Sequence, residues 1–187
     1  MATKQDVFDL CKSFYLKSVN NVKAMAVEIA KIAEKDGIDI DPKAVAGEFD
    51  VVLQYSLLQV AVADFELDAD EIIFIRDLTE FGDFVNYCSS EKFKLTWEML
   101  YNASINDVRK LLKSLEDVIK DLSGRFVRIF AICDAATEYN FVSDLEDNLN
   151  TIISGLSLMD GDQTSDEKEV QTVIMSAVRQ IKKLKKQ

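Results

Sequence analysis

The sequence of 187 residues has no histidine, one proline, six glycines, three cysteines and one tryptophan. Each scarcity closes a class of explanation. Without histidine, no Ser-His-Asp triad, Cys-His pair, imidazole base or His-ligated zinc or iron can be assembled. So few chain breakers argue against a loop-rich or all-β chain. No uncharged apolar run reaches 18 residues, so no membrane-spanning helix is expected. The start, "MATKQDVFDLCKSFYLKS", carries early acid and lacks the apolar segment of a signal peptide, so a cytoplasmic protein is expected. Cys11, Cys88 and Cys133 are odd in number, far apart and set in apolar surroundings, which reads as reduced core thiols rather than a disulfide framework or cysteine zinc site. There is no GxGxxG and no GKS or GKT loop to cradle phosphate. A hydrolytic enzyme would be left with carboxylates, lysine, tyrosine and metal, and the chain is read as non-enzymatic.

What is present is apolar and acidic. At 48% hydrophobic and 29% charged, the composition suits one ordinary soluble domain with ample core material. The net charge is −11, and Arg179, Lys182, Lys183, Lys185 and Lys186 occupy the last nine residues without an acid, so residues 1–178 carry −16. Such a body repels nucleic acid and anionic lipid and favours cations or a basic protein partner. The short basic tail complements the end of a last helix and does not make a membrane anchor beneath so much acid.

Apolar spacing is helical nearly throughout. Val7, Leu10, Cys11, Phe14, Val22, Met25, Ala26, Ile29 and Ala33 step by threes and fours, and Asp36-Gly37 supplies a stop. Asp41-Pro42 offers an N-cap with proline at the first helical position. The following helix, to about Ala63, is apolar on nearly every face and is expected to be central. A helix from Ile72 to Phe81 ends at Gly82. Residues 86–104 read as a connector with one short helix around Trp97, whose indole is taken as a plug for the bundle rather than a partner contact. A long stripe from Ile105 to Cys133, bent at Ser123-Gly124, and helices over 144–159 and 165–184 complete an all-α chain.

Two stretches crowd carboxylates beside apolar helices: "VAVADFELDADEI", residues 60–72, and "LSLMDGDQTSDEKEV", residues 156–170. Asp68 with Glu71, and Thr164 with Glu167, have the spacing of an N-cap and its reciprocal partner. Asp70 and Asp166 fall in first turns, where the helix dipole favours anions. Asp64 and Asp160 instead follow apolar helices, where that dipole is negative, and Glu66 and Asp162 add like charge. Neither stretch has a Lys or Arg before Lys168, so a divalent cation with hard oxygen ligands, calcium first, is the economical compensation. An EF-hand is excluded: counting from Asp160, the sixth position is Ser165 and the twelfth Gln171, and counting from Asp64 they are Ala69 and Ile75. The candidate ligands, Asp64, Glu66, Asp68, Glu71, Asp160, Asp162 and Glu167, therefore come from more than one segment.

An apolar helix ending in Ala-Asp or Met-Asp, a Gly or its substitute, an acid, an N-cap, and Glu seven places after the first Asp resembles the TerB-like family, named for tellurite resistance proteins. "DFELDADE" and "DGDQTSDE" both fit. The resemblance implies a compact helical bundle with duplicated helix-acidic turn-helix units, metal bound through the acids, and a stress-response role without catalysis. It covers about residues 45–185, implying an added helix in residues 1–40 and one helical domain in residues 41–187. By position it points to Asp64 and Glu71 in the first turn and to Asp160, Gly161 and Glu167 in the last. Phe65 departs from the family's usual Gly, a costly choice if that position needs positive φ. Residues 135–149, "AATEYNFVSDLEDNL", form a degenerate third copy with Glu138, Asn140 and a cap pair Ser143 and Glu146. A helix over 144–159 would separate this copy from the Asp160 turn by roughly 24 Å, so only one can neighbour the Asp64 turn. Residue chemistry favours Asp160, repeat spacing favours Glu138, and Asp160 is preferred.

Overall fold

The structure, a computed structural model, describes residues 3–79, 97–136, 141–159, 161 and 163–184. Asp160 and Asp162, Glu138 and Asn140, Cys88, residues 80–96, the indole of Trp97 and the lysines of the tail lie outside the described residues or side chains. Among the described residues there are seven helices and no strand: α1 (Lys4–Lys35), α2 (Pro42–Ala61), α3 (Ala69–Leu78), α4 (Trp97–Asn102), α5 (Ile105–Ala136), α6 (Phe141–Leu156) and α7 (Ser165–Leu184). The protein is an all-α compact bundle, as the helical spacing predicts. No described helix is long and apolar enough to cross a membrane.

Local chemistry sets most boundaries. Thr3 and Asp6 form a capping box at the start of α1. Gly37, at φ 71°, ends that helix, with Ile38 N–H bonded to Ala33 O at 2.9 Å and Gly37 N–H to Glu34 O at 3.0 Å. The Asp41 side chain accepts from Lys43 N–H, with Pro42 at the first helical position. α5 runs as one helix through Ser123-Gly124. The expected cap pair of Ser143 and Glu146 is corrected: α6 begins at Phe141, and the buried Asp134 carboxylate, from the end of α5, accepts from Phe141 N–H at 2.9 Å and Val142 N–H at 3.4 Å. A cap supplied by the preceding helix starts α6 three residues early, leaving Ser143 inside it. Glu146 instead accepts from Arg179 of α7 at 2.8 Å.

As expected, α2 is central: it touches α1, α3, α5, α6 and α7 and buries twelve of its residues. α1 shares this core through Tyr15, Val19, Val22, Met25 and Ile29. It approaches α6 so closely at Gly155 that a Cβ there would overlap Cys11 Sγ. Within the core, Asp50 is fully buried and accepts from Tyr15 Oη–H at 2.9 Å and from Gln54 at 3.0 Å, and Gln54 reaches Thr79 at 2.6 Å. This polar strand ties α1, α2 and the end of α3 together. Cys11 and Cys133 are buried, and burial pushes each thiol up to about 11. Both stay protonated and unreactive at neutral pH, in keeping with core thiols.

Contacts between helices define two ends of the bundle. At one, Lys4 meets Asp70, Phe8 packs edge-on against Phe74 at 5.7 Å, and the last turn of α6 lies on Val7 and Cys11. The end of α2 and the starts of α3, α5 and α7 are there too, because Val62, Ala63, Arg109 and Val170 line one groove. At the other, Arg125 pairs with Glu48 at 3.3 Å and Cys133 lies on Met25 O at 3.8 Å. The end of α5 and the start of α6 belong to that second end, whereas the start of α7 shares an end with the Asp64 turn.

Candidate metal centre at the acidic end

The α2–α3 turn is built by its own acids. After the C-cap Val62, the half-buried Asp64 accepts from Glu66 N–H at 3.1 Å, closing a tight side-chain turn. Phe65, between them, is at φ 67°, the one described non-glycine residue with positive φ. Asp68 caps α3 by accepting from Asp70 N–H at 2.6 Å, and Glu71 reaches back to accept from Asp68 N–H at 3.1 Å. Glu66, Asp68 and Asp70 are exposed, while Glu71 is only 3% exposed.

The described part of the α6–α7 turn repeats these devices. Gly161, following Asp160 as Phe65 follows Asp64, has φ 152°. Thr164 Oγ accepts from Glu167 N–H at 3.2 Å, and Glu167 accepts from Thr164 N–H at 2.7 Å. Glu167 is 2% exposed, matching Glu71. Both sequence-predicted capping boxes are present, and the two buried Glu side chains hold equivalent positions seven residues after Asp64 and Asp160.

Two cations that neither stretch contains reach this end from elsewhere. Arg109, in the first turns of α5, donates to Val62 O at 3.2 Å, with its guanidinium carbon 3.9 Å from the centre of the Phe65 ring. It places positive charge on the carbonyl end of α2, where the dipole is negative. Lys4 of α1 pairs with Asp70 at 2.6 Å. Sequence reasoning missed both because they lie 47 and 66 residues from their partners, and only the fold brings them together.

The donors are carboxylate oxygens alone, which suit calcium, magnesium or manganese rather than zinc or copper. Among the described residues, no three acids or thiols come together as a metal cluster. Asp64 commits one oxygen to the turn and Glu71 and Glu167 commit one each to caps. The described carboxylates of this end therefore do not by themselves make up a cation site. Beside the turn runs an open groove of about 730 Å³ lined by Tyr55, Gln59, Val62, Arg109 and Lys113 among others. Its one phenol, Tyr55, is pushed up to about 12 by burial and the nearby Glu116 carboxylate, and donates to Leu112 O at 3.1 Å. It is not a neutral-pH base. Compared with protein-family models, curated proteins and solved structures, the chain finds no match.

The strain at Phe65 is testable locally. A left-handed non-glycine residue costs about 1–2 kcal/mol, and stacking of the exposed Phe65 ring on the guanidinium returns about 0.5–1 kcal/mol. Phe65→Ala keeps the strain and loses the stack, so denaturant unfolding is expected to show a loss of about 0.5–1 kcal/mol. Phe65→Gly relieves the strain and should lie above the alanine variant. The reverse order would mean that the turn does not require positive φ.

Proposed function

We propose that the protein is a non-enzymatic, TerB-like stress-response protein that binds one divalent cation between its two acidic turns, with calcium the first candidate. The observation that carries this reading is the shared construction of the turns at one end of the bundle: a positive-φ residue directly after the leading Asp, and a buried Glu seven places on. Backbone strain is retained where the surrounding structure over-determines it, and it clusters at functional sites. Asp64 and Asp160 would be the charged ligands, Glu66 and Asp162 the outer acids, and Glu71 and Glu167 the buried carboxylates fixing each turn. A cation bound only by the folded state adds about 2.7 kcal/mol at a hundredfold over its dissociation constant, a rise in melting temperature of roughly 5–10 °C for a chain of this size. Melts with calcium, magnesium and manganese, each against chelator, provide the test. No shift at millimolar ion excludes the reading.

A second reading is supported by the same turns' hydrogen bonds. Asp64, Asp68, Glu71 and Glu167 all serve as caps or turn closures, and Arg109 already brings positive charge to the end of α2. On this reading the turns are capped loops, and the exposed Glu66, Asp68 and Asp166 form an acidic face of a helical adaptor that docks a basic protein segment.

A further inference from the structure

α5 lays a basic strip along the groove beside the α2–α3 turn. Arg109, Lys110 and Lys113 line it, three and four residues apart and so on one helix face, and Glu116 is the one acid among its described lining residues. In the whole chain acids outnumber bases 33 to 22, whereas around this groove bases outnumber acids three to one. Neighbouring charges do not cancel the reversal. Glu116 is held by Lys120 at 2.6 Å, and that hydrogen bond is the main reason its carboxylate lies below the ordinary range. Lys113 makes no hydrogen bond or ion pair among the described residues, and Lys110 meets the exposed Asp107 at 3.7 Å. Arg109 spends one of its N–H donors on Val62 O. Beneath the basic strip the lining is apolar: buried Tyr55 and Leu112 are tied together by the phenol's bond to Leu112 O at 3.1 Å, with Val62 and the half-buried Val170 of α7 beside them. A small-molecule pocket encloses most of its ligand. This groove is open, and a basic rim over an apolar floor suits an extended chain carrying both acidic and apolar side chains.

We propose that this groove docks a segment of a protein partner in which acidic residues are interspersed with apolar ones. Lys110 and Lys113 attract and pair its carboxylates, the remaining N–H groups of Arg109 offer a planar fork that matches a carboxylate, and Val62, Leu112 and Val170 receive an apolar side chain. The site is independent of both readings of the acidic turns. It needs no cation, and it takes a partner segment of the opposite charge to the one an acidic face would dock.

The test is the fluorescence anisotropy of a short labelled peptide of glutamates and leucines, titrated with the full chain, against the same peptide with glutamine for every glutamate. Three proteins are compared: the unaltered chain, a groove variant carrying Lys110→Gln and Lys113→Gln, and a tail variant carrying Lys183→Gln and Lys185→Gln, because the tail is the chain's other run of bases. Both groove lysines are exposed, so their replacement leaves the fold intact. The unaltered chain should bind the glutamate peptide saturably and more tightly than the glutamine peptide. The groove variant should bind the glutamate peptide roughly tenfold more weakly, and the tail variant should match the unaltered chain. No saturable binding at submillimolar protein, equal binding of the two peptides, or an unchanged affinity in the groove variant would overturn the proposal. A loss in the tail variant as large as that in the groove variant would overturn it too. A single-stranded oligonucleotide that binds more tightly than the peptide, and loses affinity in the groove variant, would overturn the peptide assignment and make the occupant a nucleic acid.

Discussion

Asp50→Ala is expected to lower stability by about 3–4 kcal/mol, because two buried donors, Tyr15 Oη–H and Gln54 Nε2–H, lose the carboxylate that accepts from them. Each unsatisfied buried donor costs about 1–3 kcal/mol. Asp50→Asn keeps one acceptor and should lie between the alanine variant and the unaltered protein. Combining Asp50→Ala with Tyr15→Phe removes one of the stranded donors, so the double variant should be more stable than the sum of the single losses implies. Urea unfolding of the five proteins, Tyr15→Phe alone included, provides the comparison. Strict additivity would mean that the Tyr15–Asp50 bond contributes nothing.

Phe74→Ala is expected to cost about 3–5 kcal/mol. Phe74 is 2% exposed and meets Phe8 edge-on at 5.7 Å, joining α3 to the first turns of α1. Its loss leaves a cavity between α3 and the first turns of α1. The consequence reaches the candidate site, since α3 carries Asp68, Asp70 and Glu71, and Lys4 of α1 pairs with Asp70. A loss below about 1 kcal/mol would show that α3 is not anchored through this ring.

How legible the protein was in its sequence follows the range of each interaction. The stop at Asp36-Gly37, the Asp41-Pro42 start and the two capping boxes are made by residues within a few positions of one another, and the sequence displays them directly. The central place of α2 was readable because its apolar residues leave no polar face. The Asp134 cap on α6 was misread, since a buried carboxylate seven residues upstream outcompetes the nearer Ser143. Arg109 and Lys4 were invisible as partners of the acidic turn. Positive charge reaches the first acidic stretch from α5 and α1, through Arg109 on the Val62 carbonyl and Lys4 on Asp70. The strain expected of Phe65 if its position needs positive φ is present, and the sequence signalled it only through the place of glycine in the second turn.

The central claim, that Asp160 serves a cation rather than the fold, is tested most directly by the unfolding midpoint of Asp160→Asn with and without calcium. The substitution keeps the side chain's shape and removes its charge. In chelator the variant should match or slightly exceed the unaltered protein, because an anion following the carbonyl end of an apolar helix is unfavourable by about 0.3–1 kcal/mol. In calcium it should fall below the unaltered protein, since a hard-cation ligand has lost its charge. Equal destabilisation in chelator and in calcium would contradict the account and make Asp160 a structural residue.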